Sequence, residues 1–515
     1  MTYLRLLLLV LGMSFLPVEG QVSESLEIEI IDSKPGIHIA IPIPKNTIEL
    51  TTQIKVRQLL EKSSQQRNDA KASFTMLWPA LDGHSRSIRT LILTFAKPLR
   101  KGEKFAIDLV DSRDSRLTAW EEPAGNFVDV NFTSGWLQQA LYTPMLAPGD
   151  SAPSWFDYAY RQLGYSLGDM DQINQDPKVK RNFTTSPPWL YDRVYVLYQL
   201  YFQTGDVYFK HMAHQSALTY RSLINEFGYF SLKKGNDIKY LLSPGLILDH
   251  QFYPDDKNID LIEQFYQNSL RWPAQYQLGL NFWTERNLSV ALANALAHWE
   301  MSQSKDSLKR IQVLLQGSMN TLKKSQKHGL NCLAHPYRVH EGKADNVLVC
   351  SPWMNALLAH QLFKFWQLTD SDEAATLIVA LGKNVVEQGT YLAPKGKIKG
   401  RTVPKYLMFA QSSKFEDPMA HSDMQHACDV AGLVVSARYL AMLKQQDSDY
   451  FKGTMEDLLY SCRTNLGVDK KKNSWRIKPL RKFNWWFNST GSMSWKLAEL
   501  DKFERSNGGG DSVAK

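Results

Sequence analysis

The densest run of chemically capable side chains lies at 328–340, with His328, Asn331, His335, Tyr337, Arg338 and His340. His335-Pro-Tyr-Arg338 sets a proton carrier, a phenol and a permanent cation within four residues. β-Elimination from a uronate needs those three: a charge that neutralises the carboxylate, a base for the C5 proton and an acid for the leaving oxygen. On this reading Arg338 and Asn331 bind the carboxylate, His335 is the base and Tyr337 the proton donor. A second run holds His421, Asp423, His426 and Asp429. Asp423, His426 and Asp429 follow one another at three-residue spacing, which shares one face of a helix. A carboxylate there orients His426 and raises its basicity, making it the alternative base. Both runs also have plain readings, a surface loop for the first and a hydrogen-bonded helix face for the second.

Asp192-Arg193 and Glu285-Arg286 stand at equivalent places, early in two expected helices. They are either ion pairs at helix starts or, if the helices face one another, Asp192 and Glu285 are the paired carboxylates of a glycosidase. Trp189, Tyr191, Trp283, Trp353, Trp485 and Trp486 fall near the same helix ends. Flat aromatic faces there stack on sugar rings or fill a core. Arg193, Arg286, His421 and Asp423 complete the expected binding set. No CxxC, HExxH, Gly-rich phosphate loop or nucleophile elbow occurs, so no metal or cofactor is expected.

Helices must carry most of these residues. From 187 to 500 an aromatic-rich amphipathic segment, a polar turn and a second helix keep returning. Trp189–Phe202 turns at Gln203-Thr-Gly-Asp206, Trp353–Trp366 at Thr369-Asp-Ser-Asp372, and 423–443 at Gln446-Asp-Ser-Asp449. Such hairpins cannot bury their apolar faces alone and must stack. The period-3.6 pattern predicts inner helices near 187–203, 258–271, 283–301, 351–367, 422–443 and 484–499. Outer partners are expected near 207–225, 305–325, 371–388 and 449–464. Long stretches at 226–257, 328–350 and 389–421 read as loops gathered at one mouth. Before the helices, 21–132 alternates with period two in short runs such as Leu26–Ile31, Gly36–Pro44 and Thr90–Phe95. The expected fold is therefore multidomain α and β: an N-terminal β-sandwich or small β-barrel (21–132), a connector (133–186), a C-terminal (α/α)6-type toroid (187–500) and a flexible tail (501–515).

Residues 1–20 read as a secretory signal, with Arg5 ahead of the apolar run Leu6–Leu16. The run is too short to span a bilayer comfortably and no Cys follows it, so a secreted or periplasmic protein without a membrane anchor is expected. Of four cysteines, Cys332 and Cys350 bracket a loop and could pair, whereas Cys428 and Cys462 read as buried thiols. The net charge of +8 gathers partly at 395–401 and 470–482. An exported chain with no nucleic-acid module points such a charge at an acidic polysaccharide or oligosaccharide.

Trp78-Pro-Ala-Leu-Asp-Gly-His-Ser-Arg-Ser-Ile-Arg89, followed by Leu91–Phe95 and Pro98–Gly102, resembles the Trp-Pro-Asp-Gly-Ser-x-Arg stretch of a β-barrel domain in exo-rhamnogalacturonan-lyase-like proteins. Trp189–Arg193 and Thr204-Gly-Asp206 resemble the opening toroid hairpin of the same proteins. The resemblance implies the two-part architecture and a carbohydrate-active role, without assigning catalytic residues. Three readings stand open: a metal-independent polysaccharide lyase, a glycoside hydrolase using paired carboxylates, and a non-catalytic glycan-binding protein.

Overall fold

Alternation sets the first third of the chain. In β1 (Ser25–Ile30) Leu26, Ile28 and Ile30 point inward while Glu27 faces solvent. The structure, a computed structural model, describes residues 25–32, 34–111, 116–121, 125–132, 134–141, 154–167, 187–233, 235–273, 284–339, 347–394, 399–410, 420–467 and 481–508. The expected signal segment, Trp283, His340 and the basic runs at 395–398 and 470–480 lie outside these residues, as does the side chain of His421.

Among the described residues, nine strands fall between 25 and 131: β1, β2 (Gly36–Pro42), β3 (Thr52–Leu60), β4 (Ser63–Gln66), β5 (Ala70–Leu77), β6 (Ile88–Leu99), β7 (Lys104–Asp111), β8 (Thr118–Ala119) and β9 (Val130–Asn131). They form a five-stranded sheet in the order β4-β3-β7-β1-β9 and a four-stranded sheet in the order β2-β6-β5-β8. All pairings are antiparallel except β5 with β8.

Two short helices follow, α1 (Ser134–Ala140) and α2 (Ser154–Leu167), within the stretch read as a connector. The helical part continues with α3 (Arg193–Thr204), α4 (Val207–Ser222), α5 (Ser243–Phe252), α6 (Asp256–Leu270), α7 (Glu285–Ser302) and α8 (Lys305–Gln326). Then come α9 (Pro352–Thr369), α10 (Asp372–Glu387), α11 (Ala427–Leu443), α12 (Lys452–Leu466), α13 (Arg481–Asn488) and α14 (Met493–Gly508).

One local device makes three of the hairpins. A left-handed residue ends the first helix and the next residue caps the second: Gly205 then Asp206, Gln303 then Ser304, Asp370 then Ser371. The left-handed residue stops the helix, and the Asp or Ser oxygen takes a free N–H of the next one. This is the polar turn visible in the sequence.

Contacts between helices close on themselves. α3 touches α5, then α5 touches α7, α7 touches α9, α9 touches α11, α11 touches α13, and α13 returns to α3. α4, α6, α8, α10 and α12 pack against this inner circuit, as do α2 and α14. Three expectations are corrected here. The 258–271 helix is an outer one, and the inner helix of that unit is α5, inside the stretch read as a loop. The 484–499 helix is broken into α13 and α14. The connector is not only a link, because Phe156 and Tyr160 of α2 pack against Phe483 and Phe487 of α13, with Tyr160 stacked on Phe487.

The 423–443 segment is long and apolar enough to cross a membrane, but 94% of that window is buried within the protein. Both cysteine pairs are disulfides, Cys332–Cys350 and Cys428–Cys462. The second corrects the expectation of free thiols and staples α11 to α12. The loops after α8 and α10 carry small sheets, β10 (His335–Pro336) with β11 (Leu348–Cys350) and β14 (Met408–Phe409), and β12 (Thr390–Leu392) with β13 (Thr402–Pro404).

Candidate functional site

The inner helices begin in one place, and that is where the ring systems meet. Tyr191 precedes α3, Trp353 opens α9, His426 precedes α11, Trp485 lies on α13, and Tyr406 follows β13. Trp353 stacks on His426 with centroids 4.8 Å apart and meets Trp485 at 5.4 Å. Trp485 meets His426 edge-on at 4.4 Å and stacks on Tyr191 at 5.4 Å. Tyr406 closes the set, 5.3 Å from His426 and 5.7 Å from Trp353. The Arg286 guanidinium, from the first turn of α7, lies 5.7 Å from the Trp353 ring centroid with the Tyr191 phenol beside it.

His426 is the centre of this cage and is fully buried. Its Nδ1 is 3.0 Å from Asp429 Oδ2, which also accepts from Trp485 Nε1 at 3.1 Å. Among the described residues, no hydrogen-bond partner reaches His426 Nε2. The carboxylate selects the Nδ1–H tautomer and leaves the Nε2 lone pair aimed into the cage. Burial holds the Asp429 carboxyl above its ordinary range, against the pull of His426. An orphaned ring nitrogen in a dry site is costly unless something is meant to meet it.

The paired carboxylates have other duties. Asp192 caps α3 by accepting from Tyr195 N at 3.0 Å, and its second oxygen accepts from Gly245 N, at the start of α5, at 2.8 Å. Tyr191 and Asp192 both adopt left-handed backbone (φ 69° and 56°), which makes this double bond possible. Glu285 makes a similar tie two steps round the circuit, accepting from Ser351 N beside α9 at 2.9 Å while pairing with His335 Nδ1 at 2.8 Å. Each carboxylate thus ties one inner helix start to the next. Burial pushes the Asp192 carboxyl up to about 7, against its two backbone hydrogen bonds.

Other expected residues land elsewhere. Arg338 is exposed on a turn, and Tyr337 packs instead against Phe409 at 5.1 Å. Asn331 donates to Glu387 on α10 at 2.8 Å, so it is engaged in holding a loop. Trp189 is core, donating to Ser216 O at 3.2 Å. Arg193 is buried and donates to Leu167 O, closing the end of α2. Trp486 donates to Gln425 O at 2.8 Å. Asp423 and His426 lie on one 3-10 segment (Ala420–His426), but Asp423 has partners of its own. It accepts from Tyr391 OH at 2.7 Å and Tyr406 N at 3.0 Å, so it positions the loop that carries Tyr406.

A small pocket beside the cage is lined by Tyr191, Asp192, Lys239, Arg286, Gln361 and Asn488. Lys239, Gln361, Asn488 and Tyr406 were not singled out from the sequence. Tyr406 sits in a loop with no period, and Gln361 is one of several polar residues on a helix buried along most of its length. Among the described residues, no cluster of three His, Cys, Asp or Glu side chains has metal-holding geometry.

No family model matches this chain, and no curated protein matches it. Among solved structures it is similar to a polysaccharide lyase, with 12% identity, a TM-score of 0.41, and coverage of 67% of this chain and 98% of that one. It is also similar to an unsaturated glucuronyl hydrolase specific for heparin, with 11% identity, a TM-score of 0.42, and coverage of 68% of this chain and 98% of that one.

Proposed function

We propose that this protein is an exported carbohydrate-active enzyme that cleaves an acidic polysaccharide by β-elimination, with His426 as the base. The observation that carries the reading is the His426–Asp429 pair, with Nε2 left open inside a cage of Trp353, Trp485, Tyr406 and Tyr191. The aromatic faces suit sugar rings, and Arg286 is the cation beside them. Arg286 therefore replaces Arg338 as the group that neutralises the uronate carboxylate. Nε2 takes the C5 proton, the electrons form the C4–C5 double bond, and the C4–O bond breaks. Tyr406 replaces Tyr337 as donor to the leaving oxygen. Asp429 holds the imidazole and stabilises its protonated form. The inner helices start at this cage, and their N-terminal dipoles favour an anionic ligand.

The same proposal covers the architecture. We read the closed helix circuit as an (α/α)6-type toroid and the nine strands as its N-terminal β domain, as the resemblance to exo-rhamnogalacturonan-lyase-like proteins implies. Two disulfides suit an oxidising compartment, in keeping with secretion or a periplasmic address.

A hydrolase is the second reading, favoured by one observation. Asp192 lines the pocket with its carboxyl at about 7, and a protonated acid there could serve a leaving group.

The test is incubation of the mature protein with a panel of uronate polysaccharides. Elimination creates a conjugated unsaturated uronate, so far-ultraviolet absorbance should rise, and His426→Ala should slow that rise by about 10²–10⁴-fold. New reducing ends without the absorbance, lost in Asp192→Asn, would move the assignment to the hydrolase. Binding without cleavage of any substrate would leave a glycan-binding protein.

A further inference from the structure

Among the described residues, four arginines away from the cage, buried or half-buried, are met by a carboxylate or a carbonyl. Arg89 pairs with Glu300, Arg193 donates to Leu167 O, Arg310 to Trp272 O, and Arg438 to Glu504. Arg286 and Arg481 are half-buried, Arg286 leans on the Tyr191 phenol, the Nε of each has no hydrogen-bond partner, and no carboxylate among the described residues lies within ion-pair distance of either. A half-buried guanidinium with no carboxylate beside it is open to the anion of a ligand.

Their placement is related. Arg481 opens α13 and precedes Trp485 by four residues, so the two share a helix face about 6 Å apart along the axis. Trp485 belongs to the cage that Arg286 flanks. Arg481 therefore stands one helical turn out from the sugar-sized aromatic face, about one monosaccharide away. α13 is fixed there by Asn484, donating to Leu190 O at 3.1 Å, and Asn488, donating to Tyr191 O at 3.2 Å.

Further cations crowd the same side. Lys239 lines the pocket with Arg286 and is 2.8 Å from Asp237. Lys482 follows Arg481, and burial and then Arg481 hold its amine below the ordinary range. Lys233 is held down by burial, then by Lys239 and Arg481, with Asp237 acting the other way. Among the described residues, five cations thus gather in this neighbourhood with the carboxyls of Asp237 and Asp192. The polarity asks for more than one negative charge.

We propose that Arg481, with Lys239 and Lys482 beside it, forms a second anion-binding subsite one sugar unit beyond Arg286. The ligand is then a chain bearing carboxylate or sulfate groups on neighbouring units, not a lone uronic acid. This rests on the reading of the cage as a saccharide site, but it concerns binding and needs no turnover.

The experiment is a calorimetric titration in the His426→Ala background. The ligands are galacturonic acid, a galacturonate tetramer and a heparin tetrasaccharide. The background protein should bind one of the tetramers far more tightly than the monosaccharide, with affinity falling as salt rises. Adding Arg481→Ala should weaken that tetramer about tenfold, one charge-assisted contact, while the monosaccharide is unaffected. Arg481→Lys should restore part of the affinity, which separates lost charge from a disturbed helix. Whichever tetramer responds names the anion. Tetramer affinities indifferent to Arg481, or no tighter than the monosaccharide, would overturn the subsite. Arg481-dependent binding by a protein whose wild type cleaves nothing would keep the subsite and remove the lyase. Cleavage with Arg481-independent binding would do the reverse.

Discussion

Asp192 does two jobs that pull against each other. It caps α3 and reaches Gly245 N at the next inner helix, yet its burial pushes the carboxyl up to about 7. In the unfolded chain it ionises near its ordinary value of 3.8. Below that, both states hold the proton and nothing is lost. Between the two values only the unfolded chain releases it, so stability falls as pH rises. The loss reaches about 4 kcal/mol by neutrality and then levels off. Asp192→Asn cannot ionise, and its amide can satisfy only one of the two N–H groups, a cost of about 1–3 kcal/mol. Urea denaturation from pH 4 to 8 should show the wild type ahead at the acid end and behind Asp192→Asn by neutrality. A constant gap between the two proteins would show that Asp192 is ionised in the fold. At this scale the sequence was informative about type and weak about direction. Tyr191, Trp353, Trp485, Arg286, His426 and Asp429 do converge, because helix starts converge. Arg338, Asn331 and Trp189 looked equal to them on paper, but which way a loop or a helix end turns depends on tertiary contacts. His335 and Glu285 met as a pair that spacing could not announce.

Helix character decided what could be read among the elements. α6 buries Asn258, Ile262, Phe265, Tyr266 and Ser269, half-buries Leu261 and Asn268 and exposes the rest, a one-sided pattern that marks an outer helix. α5 is buried at all ten positions, so it has no polar face and no period to detect. The only local hint was Ser243-Pro244, a proline suited to a helix's first turn. Its Gly245 shows why the unit is built this way. A Cβ there would sit 2.4 Å from Asp192 Oδ1, 2.6 Å from Val194 Cβ and 2.8 Å from Tyr195 N. None of these is the end of a flexible chain, so Gly245→Ala should destabilise by about 1–3 kcal/mol through overpacking. Gly453, in α12, has nothing within 4 Å of the same added atom. Gly453→Ala should instead stabilise by about 0.5–1 kcal/mol, the ordinary helix preference for Ala. Thermal melts of the two variants should move in opposite directions. Equal shifts would mean that α5 does not pack this closely on the α3 cap.

Across the whole molecule, the strands and the helices meet through charge as well as apolar surface. Arg89 of β6 lies against Trp78, 4.9 Å from its ring, and donates to Glu300 of α7 at 2.8 Å. Glu300 also pairs with Lys364 of α9 at 2.7 Å, and all three side chains are essentially dry. Burial works against the Glu300 charge, but Lys364 and Arg89 hold the carboxyl below its usual range. Asp129, beside β9, makes a second bridge to Lys210 and His211 of α4. The Trp78–Arg89 stretch that resembles a family motif therefore does structural work in this chain, joining the two parts. Removing the shared anion is the discriminating change. Glu300→Gln leaves two cations buried together and should cost about 3–5 kcal/mol. Replacing all three by apolar residues of similar size should recover most of that, because each ion's desolvation cost disappears with its charge. The unfolding profile carries further information. If the interface couples the two parts, calorimetry of the wild type gives one transition and Glu300→Gln splits it or lowers it as a whole. Two independent transitions in the wild type, with only one moved by the substitution, would mean that strands and helices fold as separate units and that the dry triad merely fastens them.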